Sequence, residues 1–296
     1  MCIRDRGAGD SMVAGFIAMA IADRPGLMVG FVGGSLAVSG ATFASPAGTS
    51  VSAGFLGALI AGFAAGYLML ALRKLCDRLP KALEGIKPIL IYPVAGLLII
   101  GLFMCLINPI VGAINAALYA GLAAMGAGSK IVLGIVLAGM MAIDMGGPFN
   151  KAAYVFGTST LATMAAGQGS DIMAAVMIGG MVPPIAIALA TTFFKNRFTP
   201  EERKSGPVNY IMGLCFITEG AIPFAAGDPL HVLPACIAGS GLAGALSMAF
   251  GCALPAPHGG IFVFPVMTNV AGYLVALAAG SLLGMVLLAL LKKKKS

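Results

Sequence analysis

The chain is 296 residues long, 59% hydrophobic and only 10% charged, whereas soluble domains carry about 25% charged residues. Glycine fills 42 positions with no Gly-X-Y period, amid apolar runs foreign to disordered chains, so collagen-like and disordered classes fall away. The formal charge of +7 gathers beside apolar segments, aromatics are 7% and Trp is absent, which leaves no basis for a nucleic-acid partner and points instead to a lipid membrane.

The opening Met1 to Arg6 is charged and unlike a cleavable signal peptide. Met12 to Ala22 falls short of the ~20 helical residues that cross a ~30 Å hydrocarbon core, and reads as the tail of a span whose head is cut off. Asp23-Arg24-Pro25-Gly26 breaks it, and the Gly/Ser/Ala-rich stretch to Ser52 reads as a broken helix plus a loop. Ser52 to Leu72 is a span that ends in Arg73-Lys74. Leu75 to Lys87 alternates charge with Leu and Ile at helical spacing, as in a helix lying in the interface. Pro88 to Asn108 crosses back and stops at Asn108-Pro109, and Ile110 to Gly128 follows, apolar and nearly uncharged.

Ile131 to Ile143 is short and ends in Asp144-Met145-Gly146-Gly147-Pro148-Phe149-Asn150-Lys151, after which apolar residues resume to Gly167. Such interrupted pieces mark re-entrant or discontinuous helices, whose open backbone survives in a membrane only where it lines a cavity. Asp171 to Phe194 is a full span carrying Pro183-Pro184. Thirteen of the eighteen cations fall in three clusters, at 73–87, 195–204 and 292–295, each abutting an apolar segment as cytoplasmic loops do. Between the second and third clusters lie two full spans, Leu233 to Leu254 and Val266 to Leu291, which return the chain to its starting side. Pro207 to Pro229 must therefore enter and leave on one face as a hairpin, with the helix-breaking Thr218-Glu219-Gly220-Ala221-Ile222-Pro223 at its tip. The expected fold class is an all-α polytopic membrane protein with about 7–8 membrane-embedded helices and two re-entrant hairpin or broken-helix elements. Its C-terminus is expected in the cytoplasm.

Few polar groups within these segments can do chemistry. Glu219 is the leading candidate, because an intramembrane carboxylate costs about 2.5–3.5 kcal/mol and two acceptor oxygens suit a polyol or a proton; Thr218 stands beside it. Asn150 both donates and accepts, or caps the following helix, and Asp144 serves either the site or the local turn. His258 sits in the Gly/Pro break Pro255 to Gly260, where an interfacial role is the alternative. Asp228-Pro229 reads as the turn closing the hairpin, with His231 facing headgroups. The six cysteines have no C-x-x-C spacing and read as small apolar packing residues, so neither metal nor disulfide is expected, and no nucleotide-binding or hydrolase motif points to a cofactor.

At these residues the sequence resembles a known family, the membrane-embedded IIC subunit of the bacterial phosphoenolpyruvate-dependent sugar phosphotransferase system, fructose type. The matching stretches are Ile21 to Gly26, Gly54 to Gly57, Gly146 to Ala153, Phe216 to Phe224, Asp228 to Leu230 and Pro257 to Gly260. The resemblance runs from about residue 13 to the end; Met1 to about Asp10 looks unrelated, and about two further N-terminal helices would be expected. It implies a permease that carries a fructose-like sugar while a separate cytoplasmic IIB domain, phosphorylated on cysteine, phosphorylates it. It further implies that Glu219 binds the hydroxyl to be phosphorylated and that Asn150 and His258 line the same pocket. The family's Gly at the head of its Gly-Ile-Thr-Glu element is Phe216 here.

The reading is thus a sugar permease of the inner membrane, expected as a homodimer, with residues 1–128 as scaffold and dimer contact and 129–296 as the moving transport half. The rival is an ion- or proton-coupled secondary transporter with Glu219 and Asp144 as coupling carboxylates and no phosphoryl donor.

Overall fold

A computed structural model describes residues 3–46, 48, 52–80, 84–162 and 168–293. Among the described residues the secondary structure is helical, apart from two isolated β-bridges. Among the described residues five helices are long and apolar enough to cross a membrane: Gly54–Cys76, Lys87–Met125, Asp171–Phe193, Pro229–Ala249 and Val270–Leu291; Gly9–Ala22 and Lys130–Ile143 are shorter apolar helices. The chain is an all-α polytopic membrane protein. It folds as two compact units, residues 1–120 and 121–296.

The first unit contains α1 (Ile3–Ala22), α2 (Arg24–Ser39), α3 (Gly54–Cys76) and most of α4 (Tyr92–Gly128). Lipid offers no hydrophobic drive between helices, so close backbone approach over small residues has to supply the packing. On α2, Gly26, Gly30 and Gly34 recur every fourth residue, and a Cβ on Gly30 would stand 2.5 Å from the Ala14 carbonyl oxygen of α1. Ala14, Ala18, Ala37, Ala58, Ala61 and Ala65 form the buried seam, filled out by Met69, Ile100 and Met104.

The stretch read as a broken helix plus a loop is a helix, α2, continuous to Ser39, followed among the described residues by turn and irregular backbone. Two expectations for this unit are corrected. Among the described residues no helix spans the Leu75 to Lys87 stretch expected in the interface: α3 ends at Cys76, turns occupy 77–78 and 84–86, a π-helical turn at Lys87–Ile91 leads into α4, and Lys81 to Leu83 lie outside the described residues. Asn108-Pro109 does not end a span, because Pro109 lies inside α4. Asn108 instead donates from Nδ2 to the carbonyls of Leu36 (2.9 Å) and Ala41 (2.8 Å), sealing the C-terminus of α2.

The second unit contains α5 (Lys130–Ile143), α6 (Pro148–Ala162), α7 (Asp171–Phe193), α8 (Pro200–Ser205), α9 (Val208–Leu214), α10 (Ile222–Gly227), α11 (Pro229–Ala249) and α12 (Val270–Leu291). α11 starts at Pro229, earlier than the Leu233 expected, and carries Pro234 inside. Close contacts of small residues join the frame: a Cβ on Gly179 of α7 would stand 2.5 Å from Ala138 of α5, and one on Gly239 of α11 would stand 2.6 Å from the Gly280 carbonyl of α12.

Side-chain contacts fix which ends coincide. Lys130 and Asp171 pair at 2.7 Å, so α5 and α7 start at one end; Thr160 of α6 and Ser170 share a 2.6 Å hydroxyl contact at that same end. The pair α5–α6 is therefore a hairpin with its tip at residues 144–147. The opposite end carries Lys292, 1% exposed, whose Nζ lies 3.4 Å from Glu202 and 3.6 Å from Asp228, above the Phe198 ring, while its carbonyl accepts from the Arg197 guanidinium. One lysine thus joins the second and third basic clusters to both mouths of the 207–229 segment, which is the single-face hairpin that parity requires.

Candidate functional site

The site is built around a flaw in α7. Pro183 and Pro184 have no N–H, so the carbonyls of Gly179 and Gly180, four residues earlier, lose their helical partners. Both are satisfied from outside: Ser240 of α11 donates to Gly179 at 2.8 Å, and Thr218 donates to Gly180 at 2.8 Å. Thr218, 3% exposed, thereby pins the tip of the α9–α10 hairpin to α7. Gly180 lies about 14 Å along the helix from Asp171 and about 20 Å from Phe193 at ~1.5 Å per residue, so the tip sits near mid-depth.

The α5–α6 tip arrives at the same place. Gly146 adopts φ +125°, open only to glycine, and a Cβ there would stand 3.1 Å from Glu219 Oε1. Glu219 lies against bare backbone of the first break; it is exposed, and makes no hydrogen bond or ion pair among the described residues. Asp144 accepts from the backbone N–H of Phe149 (2.7 Å) and Asn150 (2.9 Å), capping α6. Asn150, 6% exposed, donates from Nδ2 to the Met141 carbonyl at the end of α5 (2.9 Å), so it locks the break rather than capping a helix at Lys151. A cavity of about 270 Å³ opens beside Asp144, lined by Ile143, Met145, Ile222, Ala225, Ala226 and Leu233.

A third segment enters, which was not expected as a re-entrant element. Leu254 pairs with Ser170 and Ala253 with Thr268, holding both ends of residues 255–267 at the Asp171 end of the unit. Between them the chain dips inward until Gly259 meets Phe216, where a Cβ would stand 2.7 Å from the ring. Tyr154 of α6 donates to the Pro257 carbonyl at 2.8 Å and steadies the dip. His258 is exposed at its apex, 6.3 Å from the Phe216 ring between centroids. Tyr154 and Ser240 carry no signal in the sequence beyond the proline pair's demand for two outside donors, and Phe216 shows there only as a departure from the family's glycine.

The remaining candidates settle elsewhere. Asp228 closes the hairpin as expected, but His231 bonds its carboxylate through Nδ1 at 2.6 Å. Burial works to raise the Asp228 carboxyl, yet the His231 hydrogen bond and the Lys292 charge outweigh it and hold its pKa below the ordinary carboxylate value. Cys76, Cys105, Cys215, Cys236 and Cys252 are unpaired thiols, and no metal-binding cluster occurs among the described residues.

The family model for the phosphotransferase system, EIIC, matches residues 4–239. The chain belongs to the EIIC family. The match reaches back through most of the opening residues that had looked unrelated. This EIIC chain is 48% identical over 284 residues to the "Fructose permease IIC component" of Bacillus amyloliquefaciens, covering 96% of the chain and 88% of that protein. It is likewise 48% identical over 284 residues to the "PTS system fructose-specific EIIABC component" of Bacillus subtilis, covering 96% of the chain but 42% of that protein. Against the "PTS system fructose-specific EIIC component" of Haloferax volcanii it is 39% identical, covering 95% and 76%. No solved structure matches the EIIC chain significantly.

Proposed function

We propose that the chain is the fructose permease of a phosphotransferase system, moving the sugar inward across a bacterial cytoplasmic membrane as a cytoplasmic IIB partner phosphorylates it. The observation that carries this reading is the meeting of Glu219, the bare backbone at Gly146 and the His258 loop near mid-depth of α7, in a chain of the EIIC family. The relatives named as fructose components, one combining A, B and C parts in a single protein, support the sugar and the partner.

In the transfer, a sugar hydroxyl oxygen attacks the phosphorus of the partner's phosphocysteine. The O–P bond forms as the S–P bond breaks, the thiolate leaves with the partner, and Glu219 takes the hydroxyl proton. Its carboxylate suits this, because no residue of the described chain consumes its lone pairs. Asp144 and Asn150 act one step back, by holding the glycine break open. Residues 121–296 carry the sugar as the moving body, residues 1–120 serve as scaffold in a homodimer, and the basic end with the C-terminus faces the cytoplasm.

The test is sugar uptake into proteoliposomes with a phosphorylated fructose-specific IIB partner inside. Fructose phosphate accumulating in step with donor consumption is the expected result. Unmodified sugar accumulating on a proton gradient, with no donor, would establish the secondary-transport alternative instead.

A further inference from the structure

Phe216 stands at the crossing of the hairpin tip and the 255–267 dip in a conformation that its residue type resists. Its φ is +61°, in the left-handed region where a side chain costs about 1 kcal/mol or more relative to glycine. The ring is not there for want of space elsewhere: it fills a niche made by two glycines. A Cβ on Gly180 would stand 2.5 Å from Phe216 Cε2, and one on Gly259 would stand 2.7 Å from Cγ and Cδ2. The ring therefore touches bare backbone on α7 and on the dip at once, and it lies tilted at 57° to the imidazole of His258 with centroids 6.3 Å apart.

Gly259 has chemical weight beyond packing. His258 Nδ1 lies in hydrogen-bonding contact with the Gly259 carbonyl. A carbonyl only accepts, so Nδ1 carries the proton and, in the neutral ring, Nε2 keeps the lone pair. Whatever fixes the Gly259 peptide therefore fixes which nitrogen of His258 can accept from a hydroxyl.

We propose that Phe216 is a positioning residue: its ring, wedged between Gly180 and Gly259, holds the Gly259 peptide so that His258 presents Nε2 as an acceptor to a sugar hydroxyl. This rests on the sugar-site reading above, and deepens it by adding a specificity contact to the proton acceptor Glu219. A polyol substrate then meets two acceptors of different kind, a carboxylate from one re-entrant element and an imidazole from another.

Phe216→Gly relieves the left-handed strain and empties the niche, so it is expected to insert and fold while losing roughly tenfold in IIB-dependent fructose phosphorylation, mainly through KM. Phe216→Leu, which keeps bulk in the niche, should restore most of the loss. His258→Ala is expected to lose more, roughly a hundredfold, and the double variant should be no worse than His258→Ala alone. Losses that multiply in the double variant, or parent-like kinetics in Phe216→Gly, would overturn the proposal.

Backbone hydrogen exchange separates this from the transport reading. Amides at 258–260 should exchange at least roughly tenfold faster in Phe216→Gly than in the parent, and at the parent rate in His258→Ala. Unchanged exchange in Phe216→Gly overturns the tether whatever the kinetics. If His258→Ala phosphorylates fructose as the parent does, the His258 contact fails and this proposal fails with it, while Glu219→Gln still tests the permease reading on its own.

Discussion

The two hairpins of the second unit use the same sequence device, an acidic residue beside a glycine-proline break, and reach opposite outcomes. At the α5–α6 tip, Asp144 gives its carboxylate to the amides of Phe149 and Asn150, and Asn150 returns an amide to Met141. That break satisfies itself. At the α9–α10 tip the backbone is pinned from outside by Thr218 on Gly180, and Glu219 is left out of the local bookkeeping. A carboxylate becomes available for chemistry where another residue has taken over the structural work.

The anchors differ in the same way. The α5–α6 hairpin is tied at its mouth by Lys130 and Asp171, a pair whose lysine side chain is 71% exposed. The α9–α10 hairpin is tied by Lys292, buried between Glu202 and Asp228 against Phe198. Exposed pairs contribute little, whereas removing one partner of a buried network leaves charges uncompensated.

The comparison breaks first at Glu219. Glu219→Gln is expected to lower IIB-dependent fructose phosphorylation by about 10²-fold or more, with thermal stability in detergent shifted by less than about 0.5 kcal/mol. Parent-like phosphorylation would remove Glu219 from the site. Next, Lys292→Met should cost about 2–3 kcal/mol in unfolding free energy, measured by denaturant titration in micelles. The Asp228 share of that effect has a pH window. Its carboxyl pKa is depressed in the fold, so its contribution is complete above about pH 4 and fades as pH falls through the folded value; the Lys292→Met penalty should shrink in the same interval.

Asp144→Ala should cost about 1 kcal/mol as a lost helix cap, and reduce transport less than Glu219→Gln does. An equal loss from both variants would show that Asp144 touches sugar directly. The smallest effect is expected from Lys130→Met, below about 0.5 kcal/mol by the same titration. A penalty matching that of Lys292→Met would erase the difference between the two anchors.

Much of this was legible from residues alone, because a bilayer makes strict demands. Every backbone group in hydrocarbon needs a partner, so helix lengths, breaks and basic ends had to show in the composition. The single-face hairpin at 207–229 followed from counting spans between two basic clusters, and the two breaks announced themselves as glycine and proline. What failed did so for local reasons. Pro109 reads as a stop because proline ends most soluble helices, yet α4 runs through it, and Asn108 spends its amide on α2. The dip at 255–267 was missed because its depth is set by Ser170 and Thr268 gripping its ends, contacts far apart in the chain.

The sequence by itself determined that this is a membrane protein of broken helices, with Glu219 as the carboxylate most in need of a purpose, since the energetic penalty of lipid is paid residue by residue. Only the tertiary structure decided which polar groups remain available. Whether a carboxylate, a hydroxyl or an amide is consumed depends on which backbone comes to rest beside it. That is why Thr218 bonds to α7 and Asp144 to the start of α6, while Phe216, a strained residue with no chemistry of its own, packs against the glycine beside His258.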